Sequence, residues 1–430
     1  MSTETSDARG RPRVVITGLG MLSPLGNTVE ESWANMMAGR SGISRITQFD
    51  AAELPTRIAG EVKNFVARDH MDFKEARRMS RASQLAVAAA RMALADAGLP
   101  ERVPYPDRTG VLVGTAAGGM ERAFEEMDTF QERGHRAVSP FGMTMFLCNM
   151  PTHHVSLLTG STGPLSTIVA ACATGTQTIG EGAEYIRRGT ADMMFAGGVE
   201  GLIHVSAIVG FGAMRALSTH FNDCPERASR PFDKDRDGFI LAEGAAIVVL
   251  ERLDKALARG ARIYGEVLGH ASSSDAYHVA APDPEAKGAI RAMRWALDDA
   301  GLTTSDVAYI NAHGTSTPVN DATETLAIKR LFGERAYELP ISSTKSSMGH
   351  AMGGAGTIES IFTTLALSRG IIPATWNYET PDPECDLDYV PNAPRPADIQ
   401  VALKNSFGLG GQNACLVLGR YTNGTVKKEE

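Results

Sequence analysis

Cys172 is the residue of this sequence with the clearest potential for nucleophilic chemistry. It follows the β-branched, apolar run 166–171, which is predicted to be a buried strand, and precedes a predicted helix over 176–189. A helix N-terminus presents unpaired N–H groups with partial positive charge, so the pKa of this thiol is expected to be lowered. A small side chain that only packs would also suit this position. The residues around the thiol must therefore show whether Cys172 is a nucleophile or a structural residue.

Two histidines and a lysine follow other predicted strands and could surround this thiol. His313 lies in Asn-Ala-His-Gly-Thr-Ser-Thr-Pro after the predicted strand 307–310, and Lys345 and His350 share a turn rich in Ser and Gly. A cysteine protease would need a single histidine base and an orienting Asn or Asp. Two histidines with a lysine instead favour a reaction that stabilises an enolate and carries thioesters.

Carboxylates and a glycine-rich segment complete the candidate site. Asp321 and Glu324 lie at the start of a predicted helix, where acidic side chains suit the helix dipole. In the alternative interpretation, Glu324 pairs with Lys345 and holds the histidines in place. The segment Asn405-Ser-Phe-Gly-Leu-Gly-Gly411 is predicted to be a turn whose backbone N–H groups could face an oxyanion, or simply a sharp loop between strands.

The elements that must position these residues alternate between strands and helices. Strand, glycine-rich turn, helix and strand recur from about residue 261, which indicates a pseudo-duplicated mixed α/β fold. The predicted organisation is a disordered leader over 1–11, an N-terminal half over 12–260 with the nucleophile, a C-terminal half over 261–421 with the histidines, and a disordered tail over 422–430.

Composition, charge and cysteine usage narrow the function classes. The 430 residues are 43% hydrophobic and 21% charged, as in ordinary globular proteins. No apolar run reaches the ~18 residues that would indicate a membrane span. A net charge of −8 disfavours nucleic acid as a general partner. Five dispersed cysteines favour a reducing cytoplasm over a disulfide framework.

Two weaker motifs could indicate a nucleotide site and a metal site, but each also has a purely structural explanation. Gly18-Leu-Gly20-Met-Leu-Ser23 is close to a dinucleotide-binding fingerprint, but Ser23 replaces the third glycine. The adjacent His153 and His154 could suggest a metal site. Neighbouring side chains on a helix point about 100° apart, and no Cys or Asp lies at a supporting spacing. Both histidines are therefore interpreted as structural.

In combination, the motifs resemble the β-ketoacyl-acyl-carrier-protein synthases, elongating condensing enzymes of the thiolase fold, nearest the type II branch. The resemblance covers about 12–421, and two histidines, rather than His and Asn, separate the chain from initiating synthases that use coenzyme A primers. It implies an α/β fold of two βαβαβαββ halves in an αβαβα layered arrangement. The motifs that carry the resemblance are Ala171-Cys-Ala-Thr-Gly175, Asn311-Ala-His-Gly-Thr-Ser-Thr-Pro318, Ser343-Thr-Lys-Ser-Ser-Met-Gly-His350 and Asn405-Ser-Phe-Gly-Leu-Gly-Gly411.

The resemblance implies a decarboxylative Claisen condensation in fatty-acid elongation. An acyl group on Cys172 would react with malonyl-acyl-carrier protein to give 3-oxoacyl-acyl-carrier protein and carbon dioxide. His313 and His350 would bind the malonyl carbonyl, and Lys345 with Glu324 would set the electrostatics around them. Further implied residues are Cys172 and Leu409 for the oxyanion hole; Thr315, Thr317, Phe211, Phe239 and Phe407 for substrate; Lys74, Arg77, Arg78 and Arg215 for carrier-protein docking; and Asn311, Glu359 and Asn405 for a bound monovalent cation.

The resemblance also implies the partners of the protein, and three departures from the family pattern bear on its pathway. No cofactor is required, the partner is an acyl-carrier protein with a phosphopantetheine arm, and a cytoplasmic homodimer is expected. Leu409 stands where a gating phenylalanine is usual, Gln412 replaces a threonine, and Ser-Ser-Met-Gly-His follows Lys345. A smaller gate would loosen the acyl pocket, so a polyketide or other specialised pathway is an alternative. Two further alternatives are a partner subunit that only decarboxylates and a non-catalytic module that binds acyl-carrier proteins.

Overall fold

The computed structural model describes residues 5–422. Its strands are β1 Val14–Leu22, β2 Ile43–Arg45, β3 Ile58–Gly60, β4 Thr109–Gly114, β5 Leu165–Ser166, β6 Met193–Glu200, β7 Gly244–Arg252, β8 Gly265–Ser274, β9 Tyr309–Asn311, β10 Ile341–Ser342, β11 Ile371–Ile372, β12 Arg395–Pro396, β13 Val401–Gly408 and β14 Gln412–Gly419. Its helices are α1 Val29–Met37, α2 Phe73–Ala76, α3 Arg81–Asp96, α4 Met120–Arg133, α5 Gly142–Phe146, α6 Met150–Thr159, α7 Thr174–Arg187, α8 Val205–Ala213, α9 Leu253–Ala258, α10 Lys287–Ala300, α11 Pro318–Phe332, α12 Lys345–Met348 and α13 Met352–Arg369.

The long strands form one mixed sheet made of two equivalent halves. Its order is β10-β9-β13-β14-β8-β1-β7-β6-β4-β5, and the halves join where β1 pairs antiparallel with β8. In the first half, β7 pairs antiparallel with β1 and β6, and the β6–β4 and β4–β5 pairs are parallel. In the second half, β14, β13, β9 and β10 repeat these pairings in the same sequence from β8. This repetition confirms the predicted pseudo-duplicated α/β fold.

The helices divide into a central layer and two outer layers. α7 and α13 pack against each other and contact both halves of the sheet, so they lie between them. α3 covers the β1 and β7 side, with α6 beside it, and α10 covers β8 and β14, with α11 beside it. α13 is buried from Met352 to Leu367, which explains why small and apolar residues surround its few polar ones. The two halves therefore bring α7 and α13, and the segments before them, to a common centre.

Glycines allow β6, α7 and α13 to approach closely at this centre. A Cβ at Gly198 in β6 would lie 2.3 Å from the carbonyl oxygen of Gly353 in α13. A Cβ at Gly175 in α7 would lie 2.6 Å from the backbone nitrogen of Thr357. Real Cβ atoms do not approach backbone atoms this closely, so the first turns of both central helices require glycine at these contacts.

The segment before Cys172 differs from the prediction. The expected buried strand over 166–171 is wrong, because β5 ends at Ser166 on the sheet edge and Val169 is 52% exposed. A short 3₁₀ turn, Ala171–Ala173, carries the cysteine into α7, and Ala171 has a φ of +47°. The thiol is therefore placed by a strained turn at the base of α7.

The glycines of the partial dinucleotide fingerprint lie inside a strand. Gly18 and Gly20 belong to β1, and a Cβ on either would collide with carbonyl oxygens of Ala93 or Ala89 in α3. They allow helix–strand packing and form no phosphate-binding turn, so the nucleotide interpretation is not supported.

The chain ends agree only in part with the predicted disordered segments. Residues 1–4 and 423–430 lie outside the described residues. Residues 5–11 differ from the predicted leader, because Arg11 donates hydrogen bonds to the carboxylate and the carbonyl of Asp299 in α10, at 2.6 and 2.9 Å. The predicted division at 260/261 falls between α9 and β8. Among the described residues, no helix combines the length and apolar character needed to cross a membrane.

Candidate active site

A cavity of about 440 Å³ opens beside the N-terminus of α7, and all the predicted catalytic residues except Lys345 line it. Cys172, His313 and His350 line it, and each is nearly fully buried. The Sγ atom of Cys172 and one ring nitrogen from each histidine lie within 4.8 Å of one another. This spacing would also suit a metal ion, but the Lys345 ammonium beside His313 opposes a divalent cation.

Burial dominates the environment of Cys172. It raises the pKa of the thiol to about 11, while the positive charge of Lys345 and the backbone N–H of Leu409 act in the opposite direction. The predicted lowering of this pKa is therefore wrong for the free enzyme, because desolvation of the thiolate outweighs the favourable charges. The resting nucleophile is a thiol, and its proton must be accepted by a neighbouring group during attack.

Lys345 orients His313. Its Nζ atom donates to the carbonyl oxygen of His313 at 2.6 Å and lies 3.4 Å from the Nδ1 atom of the same residue. Since an ammonium only donates, Nδ1 accepts and Nε2 carries the ring proton. Burial and the nearby charge of Lys345 hold the pKa of His313 well below its ordinary value. His313 is therefore a neutral imidazole with a defined N–H donor.

His350 is the second neutral imidazole. Its ring stands edge-on to His313 at 5.4 Å and to Phe239 at 5.6 Å. Neither ring nitrogen has a hydrogen-bond partner among the described residues. Burial, with the charges of Lys345 and Lys404, holds the pKa of His350 well below its ordinary value. Buried polar atoms without partners indicate a site that is completed by a ligand.

Glu324 supports the histidine loop in a different way from the one predicted. Its two carboxylate oxygens accept hydrogen bonds from the backbone nitrogens of His313 and Gly314, at 2.9 and 2.8 Å. The predicted pairing of Glu324 with Lys345 is wrong, because Lys345 Nζ contacts Glu359 of α13 at 2.5 Å. The helical position of Glu324 places it under the loop, whereas Glu359 approaches Lys345 from the central layer.

The residues expected around a monovalent cation are brought together, but they do not fit one. Asn311 Oδ1 and Asn405 Oδ1 accept no hydrogen bond from a described residue, which alone would suit a cation. Glu359, however, already contacts two ammonium groups, because Lys404 Nζ lies 2.8 Å from its second oxygen. Lys404 was not predicted from the sequence; its only signal is a lysine directly after the apolar start of a strand, Val401-Ala-Leu403.

The predicted substrate residues surround the mouth and walls of the cavity. Phe211 packs edge-on against Phe239 at 5.4 Å, and Phe407 lies 5.7 Å from the ring of His313. The hydroxyl oxygens of Thr315 and Thr317 lie 2.9 Å apart and also line it. Leu409 lines the wall near Cys172.

The predicted docking residues lie outside the catalytic cavity, with one exception. Lys74, Arg77 and Arg78 are exposed, and Arg215 lines the mouth. Arg81 follows Lys74 by seven residues, a spacing that predicts the same face of one continuous helix, but it does not belong to this exposed basic surface. The chain leaves the helical conformation at Ser80, and Arg81 contacts the buried Glu243 at 2.9 Å.

Comparison with known families covers most of the chain. Residues 11–256 match the family model described as beta-ketoacyl synthase, N-terminal domain. Residues 264–379 match the model described as beta-ketoacyl synthase, C-terminal domain. The first range includes Cys172, and the second includes both histidines and Lys345.

Individual proteins are similar over nearly the full length. A 3-oxoacyl-[acyl-carrier-protein] synthase 2 of Synechocystis sp. is 47% identical over 96% of this chain and 99% of its own length. The protein of the same name from Staphylococcus aureus is 50% identical over 95% of this chain and 98% of its own. A solved type II polyketide ketosynthase, in complex with its acyl-carrier protein, has a TM-score of 0.88 and 34% identity, covering 96% of this chain and 100% of that one.

Proposed function

This chain belongs to the β-ketoacyl synthase family, and we propose that it is an acyltransferase that condenses an acyl group with malonyl-acyl-carrier protein in fatty-acid elongation. The observation that carries the proposal is the convergence of a buried thiol and two neutral imidazoles within 4.8 Å in one cavity. The reaction uses this chain's own side chains and backbone amides.

The first step transfers the acyl group to the enzyme. The sulfur of Cys172 attacks the carbonyl carbon of the acyl thioester, and the bond from that carbon to the pantetheine sulfur breaks. A neutral imidazole within reach accepts the thiol proton, which then passes to the leaving pantetheine thiolate. The products are acyl-Cys172 and a free pantetheine thiol on the carrier protein.

The second step generates the carbon nucleophile. The thioester carbonyl of malonyl-acyl-carrier protein accepts hydrogen bonds from His313 Nε2–H and from an N–H of His350. The bond to the carboxylate breaks, its electron pair forms the enolate, and carbon dioxide leaves. Donors that are already in place stabilise the developing enolate oxygen without reorganisation. Neutral imidazoles suit this role because each carries one N–H that donates a hydrogen bond.

The third step forms the new carbon–carbon bond. The enolate carbon attacks the carbonyl of acyl-Cys172, and the oxygen of the tetrahedral intermediate faces the backbone N–H groups of Cys172 and Leu409. Gly408 supports this geometry, since a Cβ there would lie 3.1 Å from the nitrogen of Cys172. The carbon–sulfur bond then breaks, the electron pair leaves with the sulfur of Cys172, and 3-oxoacyl-acyl-carrier protein is released. The Cys172 thiolate takes one proton from solvent, because its own proton left with the pantetheine thiol in the first step.

Substrate delivery would use the cavity and the exposed basic side chains. Thr315 and Thr317 offer hydroxyl groups to the pantetheine arm, and Phe211, Phe239 and Phe407 offer apolar walls to the acyl chain. Lys74, Arg77, Arg78 and Arg215 would attract the acidic carrier protein toward the mouth. The names of the relatives support an acyl-carrier protein as the partner.

We propose that the protein is a homodimer in the cytoplasm. Among the described strands, the edge strand β5 pairs with β4 alone. Leu165 in β5 and Val169, three residues after its end, are 54% and 52% exposed, whereas β10 at the opposite edge is buried. An exposed apolar strand edge suits pairing with a second copy of the chain. All five cysteines are free, which suits a reducing compartment.

Turnover with acyl-carrier proteins of graded acyl length, each with malonyl-acyl-carrier protein, tests this function. We expect 3-oxoacyl products with one carbon dioxide released for each, and no product from Cys172→Ala. The length profile also reports the effect of Leu409 on the acyl pocket. Decarboxylation without condensed product would contradict a synthase and favour the partner-subunit alternative, and binding without any reaction would favour a binding module.

A further inference from the structure

Lys404 is a fully buried lysine that touches no part of the substrate cavity. It lies in β13, and its Nζ atom contacts Glu359 Oε2 at 2.8 Å, Ser406 Oγ at 3.2 Å and the carbonyl oxygen of Asn405. Every partner is an oxygen, and the carboxylate and carbonyl belong to the residues expected around a monovalent cation. The ammonium group therefore has the surroundings of a bound alkali ion.

The charges of the site are already balanced by this ammonium. Around the histidine loop lie the carboxylates of Glu324 and Glu359 and the ammonium groups of Lys345 and Lys404. The two lysines contact opposite oxygens of Glu359, so a metal cation at the same carboxylate would be a third positive charge. Such a charge would be repelled by both lysines, because solvent does not screen charges in a buried site.

A continuous set of contacts links Lys404 to the catalytic histidine. Lys404 holds one oxygen of Glu359, the other oxygen holds Lys345, and Lys345 contacts both the carbonyl and Nδ1 of His313. We propose that the Lys404 ammonium is a built-in replacement for the monovalent cation of this site, and that it acts as a positioning residue for Glu359, Lys345 and His313. The inference rests on the proposed function and adds to it that this active site works without a dissociable monovalent cation.

The wild-type protein gives the first test, which needs no substrate. Crystals grown in rubidium chloride should show no anomalous peak among Asn311, Glu359 and Asn405. The melting temperature should change by less than about 1 °C between potassium chloride and N-methylglucamine chloride at equal ionic strength. A rubidium peak at this place in the wild-type protein would overturn the proposal, whether or not the enzyme condenses acyl groups.

Two variants separate the charge of Lys404 from its volume. Lys404→Ser leaves a space lined by oxygens, and potassium should then raise the melting temperature by about 3 °C or more through binding to the folded state. Rubidium should appear at the vacated position, and potassium should restore kcat. Lys404→Met fills the space without charge; its kcat should fall about tenfold or more with an unchanged KM for the carrier protein, and potassium should not restore it.

The variants also overturn the proposal if they behave otherwise. If Lys404→Ser shows no potassium response in stability, folding yield or kcat, the ammonium does not occupy a cation position. If Lys404→Met retains wild-type kcat, Lys404 does not position the histidine. Should Lys404→Ser fold only with potassium present, that requirement is itself the expected response.

Discussion

The thiol of Cys172 is protonated at rest, and its reactivity should depend on pH accordingly. With a pKa of about 11, about one thiol in ten thousand is ionised at pH 7. Raising the pH increases the thiolate fraction, so alkylation by iodoacetamide should accelerate about tenfold per pH unit between pH 7 and 9, with no plateau. Peptide mapping measures the rate at Cys172, and the Cys172→Ala variant reports the other cysteines. A plateau near neutral pH would show that the helix terminus lowers the thiol pKa despite burial.

Lys345 depends energetically on Glu359 more than on Glu324. A double-mutant cycle of Lys345→Met with Glu359→Gln should give a coupling energy of about 1–3 kcal/mol, because the two groups form a buried ion pair. The matched cycle with Glu324→Gln should give less, about 0.5 kcal/mol, because Glu324 binds backbone nitrogens. Chemical unfolding of the single and double variants measures both cycles. A larger coupling energy with Glu324 than with Glu359 would contradict this account and support the Glu324–Lys345 pair predicted from the sequence.

At the scale of elements, glycines at the contact of β6, α7 and α13 hold the nucleophile in place. Gly198→Ala would force a Cβ to within 2.3 Å of a backbone oxygen and should reduce the free energy of unfolding by about 1–3 kcal/mol. It should also lower kcat, because the shift reaches the turn that carries Cys172.

Gly210 in α8 provides the control, because a Cβ there meets no atom within 4 Å. Gly210→Ala should leave the free energy of unfolding unchanged or raise it by up to about 1 kcal/mol. Urea unfolding compares the two variants. Equal effects would mean that the close approach of the three elements does not limit stability.

Local patterns predicted the elements well where periodicity is strong. The helical patterns of Val29–Ala38 and Ala82–Ala97 predict two helices, and the apolar runs 110–114 and 245–250 predict two buried strands. The structure confirms all four within a few residues. The four motifs were correctly expected to meet, although they are positioned in different ways. The two histidine motifs lie at the ends of β9 and β10, and a 3₁₀ turn carries Cys172. The segment 405–411, which was predicted to be a turn, belongs to β13 as far as Gly408. The segment 166–171 misled because β-branched residues also occur in extended edge segments with little pairing.

The errors concern partners that only the tertiary structure supplies. Glu359 reaches Lys345 from α13, and Glu243 draws Arg81 away from the basic surface. The burial that raises the pKa of Cys172 comes from the whole cavity and is not encoded in the flanking residues. Lys404 was missed because a lysine in a strand is ordinarily solvated, and its buried oxygen partners belong to separate elements.

At the scale of the whole molecule, the exposed edge strand predicts how two copies associate. Leu165→Lys places a charge on the strand edge proposed to pair across the dimer and should shift the sedimentation coefficient toward that of a 430-residue monomer. Leu257→Lys, at a similarly exposed leucine of α9, is the control and should leave the oligomeric state unchanged. A Leu165→Lys variant that sediments as the wild type does would exclude this edge from the interface.

The central claim is that Cys172 carries the acyl chain and passes it to a malonyl-derived carbanion. Intact mass spectrometry, after incubation with acyl-carrier protein bearing an acyl group, tests it most directly. We predict an adduct of the acyl mass on Cys172, its absence in Cys172→Ala, and its loss on adding malonyl-acyl-carrier protein, with an equal amount of 3-oxoacyl product. No adduct in the wild-type protein, the same adduct in Cys172→Ala, or an adduct that malonyl-acyl-carrier protein does not discharge would contradict the claim.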